Sequence, residues 1–198
     1  MDQGKVMWEK HFKNVHRLTR TYFPWVQEYV PQLKQANMHR ILDIGCGTGA
    51  QTQFLVESGF DVTGTDYAQT AIELAKQEVS KGHFLQWDTR QPFPFPDEEF
   101  DMVLASLSLH YFDPRTLSNI MTEISRLLRQ NGLFLFRLNS IHDPHVMAPQ
   151  TIERYYFSLD DCRQLLCGWT EIELKEHQVE HYSEPKVVCE GLYQKFQP

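Results

Sequence analysis

The stretch Ile41-Leu42-Asp43-Ile44-Gly45-Cys46-Gly47-Thr48-Gly49-Ala50 constrains this chain more than any other. A short apolar run enters three alternating glycines and leaves into a helical pattern over 50–58. Glycine permits positive φ and close approach of a ligand to the backbone, and a helix start offers N–H groups with no intrahelical acceptor. Strand, glycine turn and helix in that order open a parallel sheet, and such turns hold nucleotide-bearing ligands. Taken alone, the loop leaves the ligand open. Gly45-x-Gly47-x-x-Ala50 also satisfies the dinucleotide pattern, and a tight turn with no ligand is the bland alternative.

The rest of the pattern extends this unit. Apolar runs at 40–44, 61–65, 83–86, 100–105 and 133–138 are mostly separated by helical stretches at 50–58, 68–81 and 114–129. That alternation predicts a parallel sheet wrapped by crossover helices. Met102-Val103-Leu104-Ala105 is continuously apolar, as a strand buried on both faces must be. Asn131-Gly132 is expected to cap the third of these helices. A short helix over 158–167 precedes two alternating segments, 171–179 and 186–196, which read as an antiparallel pair at one sheet edge. Ahead of the sheet, Trp8, Phe12, Val15 and Thr19 recur with helical spacing. A second helix is expected with Thr21 as its cap, Pro24 in its first turn and Pro31 limiting its length. The fold class is α/β, a doubly wound sheet with an N-terminal helical extension.

At 198 residues the chain has room for one domain, and 41% hydrophobic residues can build its core. The expected division is 1–37 as a helical lid, 38–138 as the core and 139–198 as loop and edge strands. No run approaches the ~18 apolar residues of a membrane span, and the opening segment has no signal-peptide pattern. The four cysteines form no CxxC pair, so a reducing, cytoplasmic setting without a disulfide framework is expected. The net charge of −7 argues against a broad nucleic-acid surface. Residues 1–40 nevertheless carry +4, which suits either a solvated helix face or a lid meeting an anionic substrate.

Three acids narrow the ligand. Asp43 stands just before the glycines, Asp66 ends the second strand, and Asp88 follows the third. Asp66 is placed to accept hydrogen bonds from a ribose. A pyrophosphate would be repelled by Asp43, whereas a ligand carrying an ammonium and a sulfonium would be attracted. The sign favours S-adenosylmethionine over NAD.

ILDIGCGTG, VTGTDYAQTAIELAKQ, FLQWDTRQPFPFPDEEFDMVLASLSLHYFD and LLRQNGLFLFRLN, in this order, resemble the class I S-adenosylmethionine-dependent methyltransferases over about residues 38–138. The resemblance implies a Rossmann-like sheet of seven strands, mostly parallel with the last antiparallel, and methyl transfer with S-adenosylhomocysteine as product. It implies that Asp43, Gly45, Gly47 and Gly49 surround the methionine part, and that Asp66 binds the ribose with Tyr67 against the adenine. Asp88 would accept from the adenine amino group, with Thr89 offering its N–H; Trp87 reads as either a second adenine wall or a core aromatic. Ser106 and Leu107 would meet the methionine end, and Asp101 reads as structural.

Methyl transfer needs alignment above all, and a base only where the acceptor is protonated. His110 is the candidate base and Tyr111 has similar standing, both just past the fourth strand. In the resembling family an aromatic or His at this point more often serves packing and loop geometry. Arg137 and Asn139, ending the fifth strand, are candidates to orient the acceptor, as are Trp8 and Tyr22 in the preface; an exposed surface arginine is the alternative for Arg137. Trp25, His142, Met147, Tyr155 and Tyr156 lie in the same two segments. A small-molecule acceptor is expected, with no membrane or nucleic-acid partner. His142 with His145, and His177 with His181, each fall short of a complete ligand set, so no metal is expected. Cys46 reads as packing. Two other classes stay in view: an NAD(P)-dependent oxidoreductase, and a non-catalytic module that binds S-adenosylmethionine.

Overall fold

A computed structural model of the protein describes residues 2–14, 25–149, 152–181 and 184–196. The elements run α1 (Gln3–Asn14), a 3-10 turn (Trp25–Tyr29), α2 (Val30–Gln35), β1 (Arg40–Ile44), α3 (Ala50–Glu57), β2 (Asp61–Asp66) and α4 (Gln69–Glu78). They continue with β3 (His83–Gln86), β4 (Phe100–Ser106), a 3-10 turn (Leu109–Tyr111), α5 (Pro114–Leu127), β5 (Leu128–Asn139), α6 (Leu159–Leu165), β6 (Thr170–His181) and β7 (Glu184–Gln194). The seven strands form one sheet in the order β3-β2-β1-β4-β5-β7-β6. The first five are parallel, and β7 inserts antiparallel between β5 and β6.

Strand alternation divides the core between the two faces. Phe134, Phe136 and Leu138 of β5 join Leu42, Ile44, Val103 and the α5 residues Leu117, Ile120, Met121 and Ile124 on one face. Leu133 and Leu135 join Ile41, Met102, Leu104 and the N-terminal Trp25, Tyr29 and Leu33 on the other. The α5 residues follow the i, i+3, i+4, i+7 spacing that places one stripe against the sheet. Asp113 starts this helix, its carboxylate accepting the N–H groups of Arg115 and Thr116 at 3.0 and 3.1 Å. Asp101 is structural: it accepts from the N–H groups of His39 (2.5 Å) and Arg40 (2.9 Å) and pairs with Arg129 (2.7 Å).

Two expected punctuation marks act differently. Asn131-Gly132 does not cap α5, which ends at Leu127. Leu128 pairs with Phe100 and so enters the sheet at once, leaving Asn131, at φ +61°, inside β5 near a register shift. Pro31 lies in the first turn of α2 and starts that helix instead of limiting it, because a first-turn N–H has no intrahelical acceptor to lose. Thr21 and Pro24 of the expected second helix, and Val15 and Thr19 of the first, lie outside the described residues. No described helix is long and apolar enough to cross a membrane.

Candidate functional site

The carboxyl ends of β1, β2 and β4 meet at a cavity of about 790 Å³. Its roof is α1, which contributes Met7, Trp8, His11 and Phe12. This edge is where open α/β sheets place their ligands, because the crossover helices diverge from it on both sides.

The glycine loop forms one wall. The N–H groups of Gly45 and Cys46 both donate to the Thr65 carbonyl, at 2.8 and 2.9 Å, which locks the loop onto β2. Gly45 has φ +72°, and a Cβ there would lie 2.3 Å from the Ser108 Cβ, so no other residue fits. Ser108 closes the contact by donating to the Ile44 carbonyl at 2.7 Å. Leu107, beside it, holds φ +54°. That conformation costs a non-glycine residue about 1–3 kcal/mol and is found mainly at functional sites.

The acids stand around this loop. Asp43 is 2% exposed and accepts from the Thr52 hydroxyl at 2.7 Å. Burial pushes its carboxyl up to about 7; the Thr52 bond opposes this, and the Asp66 charge adds to it. Asp66 accepts from the N–H groups of Gly47 and Ala68, each at 2.9 Å, and so ties the loop to the start of α4. Burial raises it to about 6 against the pull of those N–H groups. Each oxygen keeps acceptor capacity beyond its one bond.

At the far end, Arg90 embraces Asp88, its Nε 2.9 Å from Oδ1 and its Nη2 2.8 Å from Oδ2. The same Nη2 donates to the Tyr67 hydroxyl (2.8 Å) and to Asp2 (2.7 Å), while the Tyr67 hydroxyl donates to Asp2 (2.9 Å). The start of α1 is thereby latched over the end of β3.

His110 is 2% exposed and borders the cavity with Tyr111 and Phe112. The His110 and Tyr111 rings lie 4.2 Å apart, and Tyr111 meets Trp8 edge-on at 5.2 Å. The opposite rim carries His145, Ile152, Glu153, Arg154, Tyr155, Glu184 and Lys186. Asp143, buried, holds His145 through Nδ1 at 3.0 Å and lies 3.7 Å from the Lys186 ammonium. Burial pushes the Lys186 pKa down although Asp143 opposes it.

Asp43, Gly45, Gly47, Asp66, Tyr67, Asp88, Thr89, Ser106, Leu107, His110, Tyr111 and Trp8 all line this one cavity. Four sequence expectations do not meet there. Gly49 caps α3 from behind the wall, near Val79 and Ala75. Trp87 packs against the core on the α5 face of the sheet and directs its ring N–H to the Gln91 carbonyl at 3.4 Å. Arg137 is 8% exposed, bound to Glu190 at 2.5 Å and stacked over Trp25 at 4.0 Å. Asn139 is fully buried on the same face of β5, since residues two apart share a face. Tyr22 lies outside the described residues. Sequence reasoning missed Gln51, Arg90, Arg154 and Lys186; only Gln51, two positions past the glycines, had a motif to flag it.

His142 is held by Glu176 at 3.0 Å and His177 by Glu190 at 3.1 Å. Among the described residues no group of three His, Cys, Asp or Glu side chains could hold a metal ion. Burial raises the Cys46 thiol, which keeps it protonated and unreactive.

Residues 42–136 match a family model described as "Methyltransferase domain". An uncharacterised methyltransferase of Synechocystis is 30% identical over 141 residues, 62% of this chain and 65% of that protein. YqeM of Bacillus subtilis, also named a methyltransferase, is 34% identical over 121 residues, 59% of this chain and 47% of its own. The chain thus spans about half to just under two thirds of these relatives. The solved structure of the N-methyltransferase NodS from Bradyrhizobium japonicum, a complex with S-adenosylhomocysteine, superposes with a TM-score of 0.76 at 19% identity. That match covers 99% of this chain and 100% of NodS.

Proposed function

We propose, from the match of residues 42–136 to the methyltransferase-domain model and from the site's geometry, that the chain transfers a methyl group from S-adenosylmethionine to a small-molecule acceptor. One observation carries the reading: two buried carboxyls, Asp43 and Asp66, flank a glycine loop at a cavity large enough for a nucleoside and an acceptor together. A cationic donor compensates their burial, and a pyrophosphate would not.

The residues present suit such a donor. Asp43 and the Gly45–Gly47 backbone would hold its methionine part, with Ser106 and Leu107 on the other side. Asp66 would accept from the ribose, and Tyr67, Asp88 and Thr89 would border the adenine, with Arg90 turning Asp88 toward its ring. When bound, the donor supplies a methyl already activated on a sulfonium. The chain's own part is alignment and exclusion of water. Trp8, Phe12 and Tyr111 close an apolar roof over the reacting end, and the orientation so imposed is worth several kcal/mol, of the order of 7–11 at best. His110 takes the acceptor's proton where the acceptor is a hydroxyl or ammonium. Tyr111 positions it.

The acceptor enters past Trp8, Tyr111, Tyr155 and Ile152, a rim suited to a small, partly apolar molecule. The test is calorimetric titration with S-adenosylhomocysteine, followed by an acceptor screen with methyl-labelled donor. Tight binding and label transfer support the reading. Binding without transfer to any acceptor favours the non-catalytic module, and stabilisation by NAD(P) instead overturns it.

A further inference from the structure

Two cations border the acceptor's path into the cavity: Lys186 near the start of β7, and Arg154 in the segment before α6. The Lys186 side chain is only 13% exposed. Its ammonium lies 3.7 Å from Asp143, the one carboxylate among the described residues close enough to pair with it. That separation exceeds a hydrogen bond, and an ammonium has three N–H donors to place. Asp143 is also shared. It holds the N–H and the ring Nδ1 of His145 at 2.8 and 3.0 Å, and accepts from the Val187 N–H at 3.0 Å.

Backbone pairing brings the second cation to the same rim. The Tyr155 N–H donates to the His110 carbonyl at 2.8 Å, which lays this segment along the turn at the end of β4. The Phe157 carbonyl then accepts from Ile141, and the Ser140 N–H donates to the Val187 carbonyl, both at 3.1 Å. The Arg154 guanidinium stands 6.0 Å from the Tyr111 ring. Burial pushes the Lys186 pKa down, Asp143 opposes this, and the nearby Arg154 charge adds to it. An anion between two such cations offsets both their desolvation and their mutual repulsion. The other acids of the rim are outward or engaged: Glu153 and Glu184 are exposed, and Asp113 caps α5. The lid supplies no such charge. Its side chains at the cavity include Met7, Trp8, His11 and Phe12, while Lys5, Lys10 and Lys13 line none of it.

Resting on the proposed function, we infer that the acceptor carries a small oxyanion, a carboxylate or a phosphate, which Lys186 and Arg154 hold as a handle while another atom of the acceptor takes the methyl. The ammonium meets the oxyanion as a point charge, and the guanidinium as a planar fork. Asp143 keeps the ammonium charged against its burial. The handle is not the nucleophile, because two cations stabilise its charge and lower its basicity. Trp8 and Tyr111 receive the uncharged body of the acceptor.

The experiment screens matched sets of small aromatic and aliphatic carboxylates, phosphate monoesters and carboxamides for thermal stabilisation of the protein saturated with S-adenosylhomocysteine. The best oxyanion is then titrated calorimetrically into the wild type, Lys186→Met, Lys186→Arg, Arg154→Met and Lys81→Met, the last an exposed lysine outside the cavity. Oxyanions are expected to stabilise the complex where their carboxamides do not, and the tighter class identifies the handle as carboxylate or phosphate. Affinity should fall about 10–100-fold in Lys186→Met and Arg154→Met, recover in part in Lys186→Arg and stay within twofold in Lys81→Met. S-adenosylhomocysteine affinity within twofold throughout shows that the cavity is intact. Carboxamides that bind as well as oxyanions, no oxyanion that binds, or an equal loss in Lys81→Met overturns the inference and leaves the proposed function standing. Losses for S-adenosylhomocysteine as large as those for the oxyanion assign the two residues to the fold and overturn it as well. A wild type that does not bind S-adenosylhomocysteine overturns both.

Discussion

Glu9 on α1 caps α4 from outside, its carboxylate accepting the Thr70 hydroxyl at 2.5 Å. It also takes the N–H groups of Gln69 and Thr70 at 2.8 and 3.2 Å. The N-cap residue of α4 is Ala68, which has no side-chain acceptor to offer. The cap that a Ser or Asp would normally supply locally has been moved to another helix. The roof of the cavity is therefore fastened by groups that α4 would otherwise leave unsatisfied.

Glu9→Ala should release this fastening at a cost of about 1–2 kcal/mol. The loss should be concentrated in α1, read as faster amide exchange there than in β4 or β5. The bonds that α4 makes to Glu9 hold its carboxyl below the ordinary range although burial opposes them. Its contribution is thus present above the unfolded pKa and fades as pH falls through the folded one. Equal exchange rates in α1 of the variant and the wild type would show that the cap carries nothing.

Asp43 and Asp66 titrate the other way. With carboxyls raised to about 7 and about 6, the folded ligand-free protein holds protons that the unfolded chain has released. Stability from these two groups is full below the unfolded value and declines as pH climbs from about 4 to about 7. A cationic donor reverses the preference and expels protons on binding. S-adenosylmethionine should bind more tightly at pH 8 than at pH 6. Calorimetry in two buffers of different ionisation enthalpy should register proton release near pH 6.5. No dependence on the buffer would remove the cationic-donor argument.

Gly45→Ala would drive a methyl group to within 2.3 Å of the Ser108 side chain at a positive φ. Loss of at least about 2 kcal/mol is expected, visible as a lowered unfolding midpoint together with lost S-adenosylhomocysteine binding. A variant that keeps both would show that the loop can relax.

Glu190 is 1% exposed and receives Tyr29 (2.5 Å), Arg137 (2.5 Å), Lys175 (3.1 Å) and His177 (3.1 Å). Glu190→Gln would strand the Arg137 cation beneath Trp25, at a cost of about 3–5 kcal/mol. Trp25 also donates to the Ser106 hydroxyl at 3.1 Å, so donor affinity should fall along with the denaturation midpoint. A midpoint shift under 1 kcal/mol would mean that water reaches the pair.

His110→Ala should leave S-adenosylhomocysteine affinity within about threefold and lower turnover by about 10²–10⁴. The pH profile of the rate should differ between this variant and the wild type. Intact turnover across pH 6–9 would remove His110 from the chemistry.

The sheet, the loop and the positions of the acids are legible in the amino-acid order. Strand and helix periodicities and the Ile41–Ala50 turn are local properties, fixed by residues a few positions apart, and the acids follow strand ends that those periods locate. Which end-of-strand residues reach the cavity was a different matter. Arg137 and Asn139 end a strand at the right edge, yet neither lines the cavity: Arg137 is bound to Glu190 on the neighbouring strand β7 and Asn139 is fully buried. Trp87 was lost to the core in the same way. Pro31 and Asn131-Gly132 carry turn chemistry whose meaning depends on where the neighbouring strand pairs. Glu9, Arg90 and Lys186 act on partners about 60, 90 and 40 residues distant or held by loops, and only the packed chain brings them there. The sequence could name Asp43 as a companion of a positive ligand, because that rests on its neighbours. Only the tertiary structure could show Gln51 sealed without a partner, because burial is a property of everything around a residue.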